Sequence, residues 1–498
     1  MAKLRVAANI DKLSELLSQQ DVELAMLIHG RLKNRLRAGD FRDLAGKLLE
    51  EAREEDKLVR VKVTGPGGEY RLYAYKGMIV GAVGETSEGV LLGPKALQVL
   101  EDLREAGVID IWEVDISALP GEVAEALGAA RPSEARPPPP RGWIGLELGG
   151  FRVVAIHSEK GALNYILRAE APWGEVVALK IPKLQPGRGV GGLEVYRLVS
   201  EAQAMARVAT VDRRLLERYL DLMGYTRDLA STLERRRDNV VRVYAIHAPL
   251  RSYERAEDYL YRPPFAAMEL ADGDLLELER GEARDELVSA LAGQVGGALA
   301  LAHAIGIGHF DLKPANILYK RVDGAVMLKL SDFTGYNRVD GRFVVNLFTP
   351  EYSDPLLIAA RGRGVRLDSD VFNLAALLYR VARGAPCYCI WALNLYLLSL
   401  ITNRPPPDQV LRLLTSRGEA ARYVEEVRNA VTLAMRERLG ASAVLDRLRA
   451  RYEECIRSNT SRLREPLRSA LRRALTLNQR ARPRDAVDFY ARNLLSLA

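Results

Sequence analysis

The chain has 498 residues, 48% of them apolar and 28% charged, and a net charge of +7. That length exceeds one ordinary core, so two or three domains are expected, and the composition excludes a largely disordered chain. Arginines alternate with glutamates on helix-like faces, so the basic balance reads as solvated, ion-paired surface, and nucleic acid is not the expected partner.

The three cysteines, Cys387, Cys389 and Cys455, are few and odd in number. They point to a reducing compartment, and Cys387 and Cys389 stand too close to pair with each other or to share a metal. The start MAKLRVAANIDKL lacks the apolar centre of a secretory signal, and a cytoplasmic protein is expected. The apolar run from Ala385 to Ile401 contains Pro386 and Asn394 and is short for a bilayer, so it reads as a core helix and no membrane span is expected.

Residues from about 8 to 56 read as helix, with Ile10, Leu13, Leu16 and Leu17, and later Leu44, Leu48 and Leu49, at helical spacing. The period then becomes two. Val59, Val61 and Val63, the turn Gly65-Pro66-Gly67-Gly68, and Tyr70, Leu72 and Ala74 make a hairpin. A strand over Met78–Val83, a helix around Lys95–Glu105 and a strand around Asp110–Val114 complete an α+β domain over 1–127. It faintly resembles small sensor or adaptor domains fused to prokaryotic signalling proteins, and a regulatory or docking role with a protein partner is expected. Residues 128–142, GAARPSEARPPPPRG, are a proline-rich linker that disfavours helix and acts as a stiff spacer.

Strands follow over Phe151–Ile156, Tyr165–Ala169 and Val176–Ile181, the last holding Val177-Ala178-Leu179-Lys180. The helical run Glu194–Val208 offers Glu201, or the nearer Glu194, as a carboxylate to aim Lys180. A basic helical insertion near 209–237 reads as solvated helix or as a partner surface, and Phe265–Ala271 as another strand. The apolar helix Leu287–Ile305 delivers the chain to Gly308-His309-Phe310-Asp311-Leu312-Lys313-Pro314-Ala315-Asn316-Ile317-Leu318, and a hairpin later to Ser331-Asp332-Phe333. Two carboxylates, a lysine and a carboxamide so placed suit phosphoryl transfer. Thr349-Pro350-Glu351-Tyr352 and Leu367-Asp368-Ser369-Asp370 come next, then amphipathic helices across 405–477, which read as extra packing or a partner platform.

Together these motifs closely resemble the eukaryotic-type protein kinase superfamily, over about residues 141–498. The resemblance implies a two-lobed α+β fold: a strand-rich N-lobe over 143–271 and a helical C-lobe over 272–498. It implies ATP and Mg2+ as cofactors and a serine or threonine of a protein as acceptor, since Lys313-Pro314 and Thr349-Pro350-Glu351-Tyr352 resemble the Ser/Thr members. By the same resemblance Asp311 orients the acceptor hydroxyl, Lys313 offsets transferred charge, and Thr349 bonds to both. Asn316 and Asp332 hold magnesium. Lys180 grips phosphate with Glu201 behind it, and Gly161 belongs to the phosphate-covering loop. Ala178, Met268, Glu269, Ala271 and Leu318 surround adenine. Asp370 caps its helix and braces the backbone near His309.

The sequence departs from the family at four places. The phosphate-covering loop, Ser158–Asn164, keeps only Gly161; Phe310 replaces an arginine that reads an activating phosphate; Gly335 follows Asp332-Phe333-Thr334 one place late. In the preferred alignment Asp354-Pro355-Leu356 replaces Ala-Pro-Glu, so the late arginine, Arg482, is expected to lack its carboxylate; taking Pro350-Glu351 as that motif restores the pair but leaves too long a gap to Asp370. Rival readings are a pseudokinase acting as a nucleotide-responsive scaffold and a small-molecule phosphotransferase. RNA binding through the basic helices is a distant third.

Overall fold

The computed structural model describes residues 5–19, 22, 31–37, 52, 57–65, 68–86, 89–102, 108–116, 119, 123, 126–127, 140–158, 163–183, 190–253, 258–259, 262–333, 338–339, 342–343, 348–361, 365–415 and 418–497. Leu44, Leu48, Leu49, Pro66, Gly67, Glu159, Gly161, Thr334, Gly335 and the linker over 128–139 lie outside them. The chain divides into two units, 1–198 with 247–265, and 199–246 with 266–498.

In the first unit the four expected strands are joined by two more, Arg31–Arg37 and Gly89–Leu92, in one antiparallel sheet: β1 (Arg31–Arg37), β2 (Lys57–Gly65), β3 (Gly68–Tyr75), β4 (Met78–Thr86), β5 (Gly89–Leu92) and β6 (Val108–Asp115), ordered β1-β6-β2-β3-β4-β5. Two helices, α1 (Ile10–Leu17) and α2 (Pro94–Asp102), accompany them. Alternation divides the sheet between them. Leu58, Tyr73, Tyr75 and Val114 cluster with Leu13 and Leu17 of α1, whereas Val59, Val61, Val63, Leu72 and Ala74 cluster with Ala96, Leu97 and Leu100 of α2.

The long helix expected over about 8–56 is corrected here: α1 ends at Leu17, and Arg31–Arg37 is an edge strand in register with β6 from Arg31↔Glu113 to Arg37↔Val108. Ion pairs from Lys33 to Glu113 (2.8 Å) and from Arg35 to Asp110 (2.6 Å) tie this basic edge to its neighbour. Charged edge residues of this kind discourage pairing with other chains.

Also in the first unit, β7 (Glu147–Leu148), β8 (Phe151–Ser158), β9 (Asn164–Glu170) and β10 (Val176–Pro182) pair in turn, with Lys180 opposite Ile166 and Ala178 opposite Arg168. Trp143 is wholly buried and meets Tyr259 edge-on, with ring centroids 5.7 Å apart. It anchors the chain where it leaves the linker. The helix α3 (Gly192–Ala209) carries both Glu194 and Glu201.

The second unit is mainly helical. The insertion forms two helices, α4 (Arg213–Leu222) and α5 (Leu229–Glu234), separated at Gly224, whose φ of +75° suits a residue without Cβ. Arg213 pairs with Glu217 (3.0 Å) and Arg237 with Glu234 (3.2 Å), so part of the insertion's basic charge is neutralised. Then come β11 (Val243–His247), β12 (Phe265–Glu269), β13 (Gly273–Asp274), α6 (Arg284–Ala304), β14 (Ile317–Val322), β15 (Ala325–Leu330), α7 (Pro355–Ala359) and α8 (Asp368–Arg383). The helices α9 (Tyr388–Thr402), α10 (Asp408–Thr415), α11 (Gly418–Glu437), α12 (Ala441–Thr460) and α13 (Leu467–Ala474) follow.

Among the described residues α6 alone has the length and apolarity to cross a membrane, and 83% of its apolar window is buried within the molecule. One wide π-helical turn, Leu291–Val295, interrupts it. In that turn Gln294 Oε1 accepts from Leu328 N (2.7 Å) and Asn239 Nδ2 (3.1 Å), which ties the helix to the β14–β15 hairpin. The run expected as a core helix is α9, with Ile390, Leu393, Asn394 and Leu397 fully buried.

One end of α9 overturns the reading of the cysteines. Cys389 is disulfide-bonded to Cys455 of α12, with Cα atoms 6.1 Å apart, and Cys387 is left buried as the free thiol. The pairing removes the argument from cysteine count to a reducing compartment.

Candidate active site

The loop between α6 and β14 is held from below by one carboxylate. Asp370, fully buried in the first turn of α8, accepts from the backbone N–H of His309 (2.6 Å) and of Phe310 (2.5 Å). His303 Nε2 lies 3.0 Å from the same carboxylate, and its Nδ1 accepts from Ala486 N (2.9 Å). Asp370 therefore braces the backbone at His309 but does not cap its helix, which begins at Asp368 without a side-chain cap. Bracing of this kind sustains a strained backbone: Phe310 has φ +61°.

His309 links this loop to the second one. Its Nδ1 accepts from Asp311 N (3.2 Å), and its Nε2–H donates to Ser331 O (2.7 Å). Burial holds its pKa below the ordinary imidazole value, against the opposing pull of Asp370 and the bond to Ser331. The neutral tautomer with hydrogen on Nε2 satisfies both bonds. Its ring also meets Phe333, with centroids 4.9 Å apart.

Three side chains converge on the Asp311 carboxylate. Lys313 Nζ donates to Oδ2 at 2.5 Å, Asn316 Nδ2 donates to Oδ2 at 3.3 Å and to the Asp311 carbonyl at 2.9 Å, and Thr349 Oγ1 donates to Oδ1 at 2.8 Å. Asp311 is 4% exposed, so these charge-assisted bonds act where water competes little. The expected second bond of Thr349, to Lys313, is not among those formed by the described residues. Asn316 and Asp332 stand at corresponding ends of the β14–β15 hairpin, where Ser331 N donates to Asn316 O (3.0 Å). Asp332 has φ +59° and is partly exposed. With its amide nitrogen directed at Asp311, Asn316 has Oδ1 to offer a cation, and Asp332 adds a carboxylate. Two hard oxygen donors of this kind suit magnesium that draws its other ligands from phosphates and water.

The remaining candidates lie on strands or on α3. Ala178 and Lys180 are buried on β10, Lys180 being 6% exposed. Glu201 is half-buried on α3. Met268 is buried on β12, and Ala271 follows the strand. The neighbouring Glu269 is tied down through its carboxylate, 2.9 Å from Lys329 and 3.5 Å from Lys320. Leu318 lies on β14 opposite Lys329.

The segment that carries Thr349 rests on a buried ion pair that the sequence reading denied. Arg482 Nη1 and Nη2 lie 2.5 Å and 3.0 Å from the two oxygens of Asp354, and both side chains are fully buried. Arg482 therefore has its carboxylate, supplied by Asp354 two residues before Leu356, where the family has its glutamate. Burial opposes its charge, yet Asp354 and then Asp368 hold its pKa above the ordinary value. Asp354 also caps α7 through Leu356 N and accepts from Ser369 Oγ (2.9 Å). Asn394 of α9, read in the sequence only as a polar residue within an apolar run, donates to the carbonyls of Pro350 (2.9 Å) and Ser353 (2.6 Å) and so supports the same segment.

The comparison with family models gives the same family. The family model described as the protein kinase domain matches residues 188–444. Serine/threonine-protein kinase Pkn1 of Myxococcus xanthus is 32% identical over 203 residues, 36% of this chain and 29% of that protein. Serine/threonine-protein kinase PknL of Mycobacterium tuberculosis is 31% identical over 194 residues, 35% of this chain and 47% of that protein. The chain thus spans less than half the length of either relative. The crystal structure of the Mycobacterium tuberculosis PknI kinase domain aligns with 71% of this chain and 98% of its own at 17% identity, with a TM-score of 0.40.

Proposed function

The chain belongs to the protein kinase domain family, and from that membership we propose that it transfers the γ-phosphoryl group of ATP to serine or threonine hydroxyls of a protein. The observation that carries the reading is the Asp311 carboxylate, buried and held by Lys313, Asn316 and Thr349. A carboxylate fixed in this way can orient an acceptor hydroxyl and take its proton while the oxygen bonds to the γ-phosphorus and ADP departs. Lys313 then balances charge on the moving group. Asn316 and Asp332 are the residues that would hold magnesium, which when bound offsets phosphate charge. By the same membership Lys180 is assigned to the α- and β-phosphates and Glu201 the role of its carboxylate, with Ala178, Met268, Glu269, Ala271 and Leu318 assigned to adenine. The six-stranded N-terminal domain is assigned a regulatory or docking role.

A nucleotide-responsive scaffold is the second reading, favoured by Glu159 and Asn164 in the phosphate-covering loop, where backbone must approach phosphate closely. Labelled ATP separates the readings. Incubation with magnesium, a generic protein and small hydroxylated acceptors should place label on protein serine or threonine; label on small molecules alone, or nucleotide binding without transfer, would select a rival.

A further inference from the structure

The helices α11 and α12 form a hairpin, and a groove of about 630 Å3 runs along it, lined among others by Ala430, Leu433 and Leu448 and by Arg436, Arg447 and Arg451. Its floor is apolar, Ala430 and Leu448 being buried. The arginines differ in what they do. Arg451 is bonded twice to Glu426, at 2.6 Å and 2.8 Å, and also reaches Glu454. Nearby, Arg428 pairs with Glu425, and Arg449 with Asp446 at 2.7 Å. Among the described residues the side chains of Arg436 and Arg447 have neither an ion pair nor a hydrogen bond, and both are exposed. Asn429 and Thr432 add uncharged polar groups to the same lining.

From this pattern we infer that the groove docks an acidic segment of the protein substrate. An arginine presents a planar fork matched to a carboxylate, and two unpaired forks beside an apolar floor fit a short stretch with acidic side chains and one apolar anchor. Nucleic acid suits the site less well. A polyanion needs a continuous basic track, whereas of the three arginines in the groove lining Arg451 is already paired with Glu426, which leaves Arg436 and Arg447.

The groove is also mechanically joined to the candidate site. The disulfide from Cys455 on α12 to Cys389 fixes one wall to α9, and Asn394 of α9 holds the Pro350 and Ser353 carbonyls. Thr349 in the same segment bonds to Asp311. A protein held in the groove is therefore kept on the helix that supports the substrate-facing segment. The inference rests on the reading of the chain as a protein kinase, so its primary test does not use transfer.

The test is fluorescence anisotropy of a labelled peptide rich in Asp and Glu with a single Leu, titrated with the full chain. Arg436→Glu/Arg447→Glu is compared with Arg214→Glu/Arg218→Glu, which makes the same change of charge on α4, and Arg436→Lys/Arg447→Lys provides a milder pair. Circular dichroism first establishes that each variant is folded. Binding should weaken about tenfold or more in the groove reversal, stay near the parent value in the α4 reversal, and be partly kept by lysine. Equal weakening by both reversals, or no binding by the parent chain, overturns the inference. So does loss, in the groove variant, of binding to an RNA oligonucleotide or to anionic vesicles when the peptide is never bound. If transfer is present, the groove reversal should raise KM for an acidic-tailed substrate while kcat and the rate on a tail-free peptide stay unchanged. Absence of transfer with groove-dependent peptide binding would reject the kinase reading and leave the docking site standing.

Discussion

Arg482 and Asp354, 128 residues apart in sequence, form a buried two-pronged ion pair beneath the segment that carries Thr349. Removing one partner leaves an uncompensated charge in the interior. Asp354→Ala is expected to cost about 3–5 kcal/mol of stability, read by denaturant unfolding, and to displace the segment from Asp311. An Asp354→Ala chain with unchanged stability would mean that Arg482 finds another carboxylate, of which Asp368, 3.8 Å away, is the nearest.

Phe310 stands where the family uses an arginine to read a phosphate, and it packs with Leu357 and Val365, with Phe348 and Leu367 beside them. Apolar packing therefore does what a charge pair would do. Phe310→Ala should lose about 3–5 kcal/mol. Phosphatase treatment should leave the rate of transfer by the parent chain unchanged, whereas a drop would show that a phosphate is read elsewhere.

The buried imidazole of His309 makes stability depend on pH. Its folded pKa lies below the ordinary value, so below about pH 6.5 the unfolded chain takes up a proton that the folded chain refuses. The contribution is complete above that pH and is lost as pH falls toward the folded pKa. Thermal midpoints measured from about pH 7.5 down to about 5.5 should fall less steeply in His309→Phe than in the parent chain. Identical slopes would contradict the assignment.

The link between Cys389 and Cys455 closes a loop with a sequence separation of 66. Chain-entropy arguments allow it at most about 4 kcal/mol. Reductant should lower the thermal midpoint of the parent chain and leave Cys389→Ser/Cys455→Ser unaffected. A parent chain indifferent to reductant would show that the bond is not formed in solution.

The clustering of Asp311, Lys313 and Asn316 was legible because it is local: the three share one turn, and their residue types and spacing carry the pattern. The hairpin β2–β3 was legible for the same reason, through alternation and a glycine-rich turn. What failed was non-local or ambiguous. Asp354 could be matched to Arg482 only through packing, because the motif that normally supplies the carboxylate has changed. Cys389 and Cys455 are brought together by α9 and α12. In Arg31–Arg37 the apolar positions are few and the charges many, so pairing with β6 decided the strand. The turn at Leu291–Val295 gives no signal in an apolar, alanine-rich run, and only Gln294 reveals its use.

The most direct test of the central claim is incorporation of label from γ-labelled ATP with magnesium, comparing the parent chain with Asp332→Ala at equal folded concentration. The account predicts phosphoserine or phosphothreonine in the parent reaction and loss of about 100-fold or more in the variant. Equal incorporation by the two proteins, or none by either, would contradict it.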